Sequence, residues 1–237
     1  MVPQSKGKIF LADERGHTEL EWFRSYNTFN FGNYRHPHKA PFGALYVLNE
    51  DTLAGGSNFN LQAEEDSEII LLPIVGTITY TDSRGNAGSV KAGQSVILDA
   101  PKGMSVRIGN PYEDELVKFL QWWVRTPPKT KPVAPEILSF DLDGNGNKLT
   151  RAYPSRQDSP SILFHGAMIG KLSGREEAVY KPIVPGNGLF AFVIQGEMEV
   201  QYRLLQAGDG LALWDLREIE MEALSKEAII LVMEVPV

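Results

Sequence analysis

Cysteine is absent from the 237 residues, which excludes disulfides, thiol nucleophiles and thiolate metal centres together. No segment is apolar over the roughly 20 residues that a membrane-spanning helix requires. The opening residues, MVPQSKGKIFLADERG, carry no apolar core of the secretory kind. With the missing cysteines, these absences lead to the expectation of a cytoplasmic protein with no membrane partner. Basic residues are outnumbered, 23 Lys and Arg against 30 Asp and Glu, for a net charge of −7. That balance argues against direct nucleic-acid binding, which needs a basic surface. No Gly-rich phosphate loop, Ser-His-Asp order or basic stripe occurs, so chemistry must be sought in an enclosed site of the fold.

What the chain does contain is ordinary for a folded protein, 43% hydrophobic and 22% charged residues. Its length suits one large or two modest domains. The stretch Asn58–Asp82 reads as paired strands with polar side chains aimed at an enclosed face. Within it Glu68–Leu72 is largely aliphatic and Gly76 breaks the run. Thr77–Thr81 then alternates polar and apolar with period two. Ser83-Arg84-Gly85-Asn86 and Lys91-Ala92-Gly93-Gln94 supply turns. Leu116–Val124 is an apolar strand in which Trp122 and Trp123 must face opposite sides. Four prolines between Thr126 and Pro135 then mark a stiff extended connector.

Residues 136–237 repeat the plan. Gly188–Ile194 reads as a strand, Gln195-Gly196-Glu197 as a turn and Met198–Arg203 as a strand. A turn spans Leu204–Gly210, and Leu211–Trp214, Glu218–Glu222 and Ala228–Val235 follow as strands. Short strands at this spacing point to antiparallel barrels or sandwiches, and the repetition points to two of them. The expected fold is all-β, with one barrel over residues 1–130 and a smaller one over 131–237.

Several segments resemble one family. GHTELEW, YNTFNFGNY, FGALYVLNED at Phe42–Asp51, the block Glu64–Ile69, Gly76, TDSRGN at Thr81–Asn86 and FLQWWV at Phe119–Val124 resemble the pirin family of cupins. The tail, with AGDGLALWD, resembles the bacterial two-cupin pirins of quercetin 2,3-dioxygenase type. The resemblance runs nearly end to end and implies a bicupin, two antiparallel double-stranded β-helix (jelly-roll) barrels in one chain. It also implies one iron-like divalent metal in the N-terminal barrel, held by three histidines and a glutamate as two i, i+2 pairs. Alignment on Asp66-Ser67-Glu68-Ile69 puts the first pair on Gln62 and Glu64. Alignment on Gly103 and Asn110-Pro111 puts the second on Val106 and Ile108. Val106 and Ile108 have no donor atom, and Gln62 is a weak neutral ligand. The expectation is therefore a degenerate metal site, with no metal and no cofactor.

Other motifs have plainer readings. His36-Pro37-His38 lies upstream of the metal-bearing strand and reads as an exposed loop. His17 reads as a structural histidine. His165 is the single histidine of the second half, which has no His-x-His pair. Asp141–Asn147 copies the front of a calcium loop, but Ala152 stands where a bidentate glutamate is required, so a Gly/Asn-rich turn is favoured. The aromatics from Trp22 to Tyr34 read as core rather than as a stacking platform.

Three functions remain. The first is a metal-free binding or regulatory protein, taking a small aromatic ligand at Gln62, Glu64, Val106 and Ile108, or a protein partner. The alternative is a metal-dependent oxygenase of quercetin 2,3-dioxygenase type. Last comes a metal-independent enzyme with Glu64 as general base, helped by Gln62 or Glu68.

Overall fold

The computed structural model describes residues 5–154 and 166–237; His165 lies outside them. The first half supplies β1 (Gly7–Phe10), β2 (Gly16–Glu19), β3 (Phe23–Asn27), β4 (Leu45–Leu53) and β5 (Asn58–Gln62). It continues with β6 (Ser67–Val75), β7 (Thr77–Asp82), β8 (Ala87–Lys91), β9 (Gln94–Ala100), β10 (Ser105–Gly109) and β11 (Val117–Arg125). The second half opens with β12 (Glu136–Ser139), β13 (Leu149–Tyr153), β14 (Gly166–Leu172), β15 (Glu177–Tyr180) and β16 (Gly188–Gln195). It ends with β17 (Glu197–Val200), β18 (Arg203–Gln206), β19 (Gly210–Leu213), β20 (Ile219–Ala223) and β21 (Ala228–Val235). Every pairing is antiparallel, and no α-helix occurs among the described residues.

Each barrel joins a large sheet to a four-stranded one. The first combines β12-β9-β6-β11-β4-β3-β2 with β5-β10-β7-β8, and the second β1-β19-β16-β21-β14-β13 with β15-β20-β17-β18. The halves exchange strands across the connector. Phe10 in β1 pairs with Gly210 of the second barrel, while Glu136 in β12 pairs with Ile97 of the first.

The central strands β4, β6, β9 and β11 of the first barrel's large sheet are buried on both faces, which explains their near-continuous apolar runs. Leu48, Ile70, Leu72, Leu120 and Trp122 face the second barrel and pack in one cluster with Phe190, Phe192, Leu231 and Met233. Val47, Ile69, Leu71, Phe119 and Trp123 face the interior of the first barrel. The two adjacent tryptophans thus serve different cores, as strand alternation requires. The second barrel is filled by apolar side chains, among them Leu189, Val193, Met198, Val200 and Ile230.

The tight turns lie where the glycines announce them. Gly76, between β6 and β7, has φ +80°, a conformation that side chains rarely adopt. Asp82 organises the Ser83–Asn86 turn by accepting from the backbone N–H groups of Arg84 and Asn86, both at 2.9 Å. Met198–Arg203 departs from the single-strand reading. The chain reverses at Gln201 and Tyr202, which have φ +46° and +61°, and β17 pairs directly with β18. A two-residue hairpin turn of this kind usually announces itself with Asn or Gly, and neither is present. Asp141–Asn147 forms a turn in which Asp141 Oδ1 accepts from the N–H groups of Asp143 and Gly144, while Lys171 pairs with Asp143 at 2.8 Å.

Candidate functional site

The interior of the first barrel is not wholly apolar. Register places Ser25 of β3, Asp51 of β4 and Phe119 of β11 in one row, with Asn27, Asn49 and Gln121 in the next. Alternation points both rows inward, below the row containing Val47 and Trp123. Ser25, Asn27, Asn49, Asp51 and Gln121 are all buried. Gln121 Nε2 donates to Asp51 Oδ2, and Gln121 Oε1 accepts from Trp123 Nε1 at 2.8 Å. Asn27 Nδ2 donates to Ser25 Oγ at 3.0 Å. Burial pushes the Asp51 carboxyl up to about 7 against the pull of hydrogen bonds from Ser25 and Gln121, and Glu50 adds a smaller push upward.

Above this floor a cleft of about 410 Å³ opens between β2–β3 and the edge strand β5. Ser25, Asn27 and Gln121 line its base, and Phe23, Phe31, Tyr34 and Phe59 its walls. Phe23 and Phe59 pack at 4.8 Å between ring centroids. A second lobe of about 290 Å³ extends over Tyr46, Val47 and Trp123 to a rim that includes Arg35, Gln62 and Glu64. Phe31, Gly32 and Leu61 line both lobes. A concave, mostly apolar site with a few convergent polar groups is the usual form of a small-molecule pocket.

The residues singled out from the sequence are not gathered at one point. Val106 and Ile108 are completely buried, and they sit opposite Leu61 and Phe59 of β5. Gln62 sits opposite Ser105, one residue out of phase, so it points to the other face of this sheet. It is exposed, and its Nε2 reaches Gly103 O at 3.4 Å. Glu64 lies beyond the end of β5 and is exposed at the rim of the smaller lobe. The strands of Asn58–Asp82 do not pair with one another as expected: β5 and β7 flank β10 in the four-stranded sheet, while β6 lies in the large one. The face that β5 and β7 turn inward is apolar, carrying Phe59, Leu61, Ile78 and Tyr80. Asn58, Asn60 and Gln62 are exposed, contrary to the expectation of polar groups pointing in.

Glu68 does not join Glu64. It is buried on the face towards the second barrel, where it accepts from Lys129 Nζ at 2.7 Å and from Tyr153 Oη. His36 and His38 are exposed in a loop. His17 stacks on Tyr26 at 4.7 Å, lies 3.3 Å from Glu19 and lines the larger lobe. Among the described residues, no group of three or more His, Asp or Glu is placed to hold a metal ion. Sequence reasoning passed over Ser25, Asn27, Asn49, Asp51 and Gln121. The available signal was polar residues at i, i+2 within apolar strands, Asn49 and Asp51 in β4 and Gln121 in β11.

Two barrels on one plan, with the cleft in the first, make this a bicupin. The pirin family profile matches residues 10–124 and the quercetinase C-terminal cupin profile matches residues 166–235. The chain belongs to the pirin family of cupins. It is 28% identical to the quercetin 2,3-dioxygenase of Escherichia coli K12 over 226 residues, 93% of this chain and 95% of that protein. A pirin-like protein of Caulobacter vibrioides is 27% identical over 225 residues, 93% of this chain and 96% of that one. The crystal structure of YhhW from Escherichia coli superposes with a TM-score of 0.83 at 27% identity, covering 98% of this chain and 99% of that one. YhhW in complex with nickel(II) gives 0.80 at 26% identity, covering 98% and 100%. No helix among the described residues is long and apolar enough to cross a membrane.

Proposed function

We propose that this pirin-type bicupin binds a small molecule in the cleft of its first barrel without a resident transition metal. The cleft itself carries the reading: aromatic walls over a base of buried, hydrogen-bonded polar side chains. The donor set supports the metal-free part. Val106 and Ile108 offer no lone pair, and Gln62 and Glu64 lie outside the sealed face those two occupy. A metal site whose affinity comes from its ligands does not survive the loss of most of them.

The second reading is a metal-dependent oxygenase of quercetin 2,3-dioxygenase type. It draws on the relatives that bear that name and on the nickel(II) complex of YhhW. Metal content decides between them. Untagged protein from metal-supplemented growth is expected to carry far less than one transition-metal ion per chain by plasma mass spectrometry, and to leave quercetin unconsumed. One tightly held ion per chain with flavonol turnover would reverse the order. The binding half has its own test: Leu61→Trp, which fills the junction of the two lobes, is expected to abolish the thermal shift produced by any cleft ligand.

A further inference from the structure

The acids and strong bases that line the cleft are confined to one lobe. Polar but uncharged groups such as Ser25, Asn27 and Gln121 line the larger lobe, and no Asp, Glu, Lys or Arg does. The smaller lobe is lined by one charge of each sign, Arg35 and Glu64. Among the described residues neither makes an ion pair, with the other or with a third group. The charges next to them are matched. Arg125 Nε donates to Glu65 Oε2 at 2.6 Å, and the same guanidinium lies 4.6 Å from the centre of the Tyr46 ring.

Each of the two groups is sited at the lobe. Arg35 Nη1 donates to the carbonyl oxygens of Gly32 and Tyr34, both at 2.8 Å, and Gly32 itself lines the lobe. Those bonds leave Nε and Nη2 without a partner among the described residues. That edge of a guanidinium takes a carboxylate through two parallel bonds. Burial holds the Tyr46 hydroxyl above the ordinary tyrosine range, and Glu64 adds a small push the same way, so its carboxylate lies towards the Tyr46 wall. The body of the lobe is aromatic. Trp123 meets Phe31 and Tyr46 edge-on, at 6.2 Å and 6.1 Å between ring centroids. A volume of about 290 Å³ stands at the lower end of ligand pockets, which suits one ring rather than several.

Resting on the reading of the cleft as a binding site, we propose that its smaller lobe takes an amino acid with a single-ring side chain. The carboxylate of this zwitterion meets the free edge of Arg35, its ammonium meets Glu64, and its ring packs among Phe31, Tyr46 and Trp123. A ligand with one charge leaves the opposite one unanswered, and a neutral ring gains from neither. Both charges stand at the rim in contact with water, so they supply discrimination more than great affinity.

Calorimetric titration of the full chain with L-phenylalanine, 2-phenylethylamine and 3-phenylpropanoate tests the proposal. The three share a ring on the same stem; the amine lacks the carboxylate and the acid lacks the ammonium. Phenylalanine is expected to bind at one site, roughly fivefold or more tightly than either of the others. Arg35→Gln should bring phenylalanine down to the level of the amine and leave the amine unmoved. Glu64→Gln should bring it down to the level of the acid and leave the acid no weaker. Both residues are exposed, so neither change touches the core. Arg35→Lys, which keeps the charge, should retain part of the preference. Equal or tighter binding of the amine or the acid to the wild type overturns the proposal. So does a phenylalanine affinity unchanged in both Gln variants, or a loss in them shared alike by all three probes. If Leu61→Trp abolishes binding of probes that show no preference, the cleft stands and this assignment fails. If none of the three binds, the assignment fails, and the cleft is judged by its own thermal-shift test.

Discussion

Asp51 is an acid placed where its charge is hard to hold. Burial holds its folded-state value at about 7, above the ordinary 3.8, so the folded protein binds the proton more tightly than the unfolded chain. The stability this supplies is fully present below about pH 3.8 and is lost as pH rises through about 7, a swing of roughly 4 kcal/mol at most. Glu50 works in the same direction from the same strand, while Ser25 and Gln121 oppose it as neutral donors. Asp51→Asn keeps an oxygen for Gln121 and cannot ionise. Urea denaturation is expected to find the variant more stable than wild type at pH 8.5, with the advantage gone at pH 4. An advantage independent of pH would show that Asp51 does not titrate in the folded state.

At the scale of elements, the proline-rich connector is pinned as well as stiff. Lys129 reaches Glu68 at 2.7 Å and Asp99 at 3.0 Å, and both carboxylates are buried against the first barrel. Against the opposing effect of burial, Arg84 and Lys129 together hold Asp99 below the ordinary carboxylate range. Removing the shared cation takes an ion-pair partner from two buried carboxylates at once. Lys129→Met is therefore expected to cost about 3 kcal/mol. Adding Glu68→Gln should recover part of it, since one of the two buried carboxylates that lost the cation is then neutral. Denaturant midpoints of the single and double variants measure both effects, and a double variant no better than the single would remove Glu68 from the explanation.

The whole molecule is tied together by its exchanged strands. Phe10 ends β1, pairs into the second barrel and packs its ring 5.2 Å from Phe29 and 5.6 Å from Phe190. It is 2% exposed in the core shared by the two barrels. Phe10→Ala is expected to cost about 3–5 kcal/mol. The loss should appear in one cooperative transition, because the cavity opens in a core that both barrels line. Two separated transitions in calorimetry, with only one displaced, would mean that the barrels unfold independently.

Local chemistry made much of this fold legible. Apolar runs marked β6, β11, β16 and β21, glycines marked the turns at Gly76, Gly93 and Gly196, and the repeated order of strand and turn announced two barrels. The hairpin at Gln201-Tyr202 escaped because its left-handed residues are not the usual turn formers. The exchange of β1 and β12 escaped because strand partners are chosen over long separations. The site divides in the same way. Residue identity alone dictates that Val106 and Ile108 can ligate nothing. Only the tertiary structure decided that Gln62 lies out of phase with them, because a one-residue step along a pleated strand reverses the face. Only the register of β3, β4 and β11 brought Ser25, Asn27, Asn49, Asp51 and Gln121 together. Polar residues scattered over 97 positions of sequence become neighbours when antiparallel strands align them, and no local pattern records that alignment.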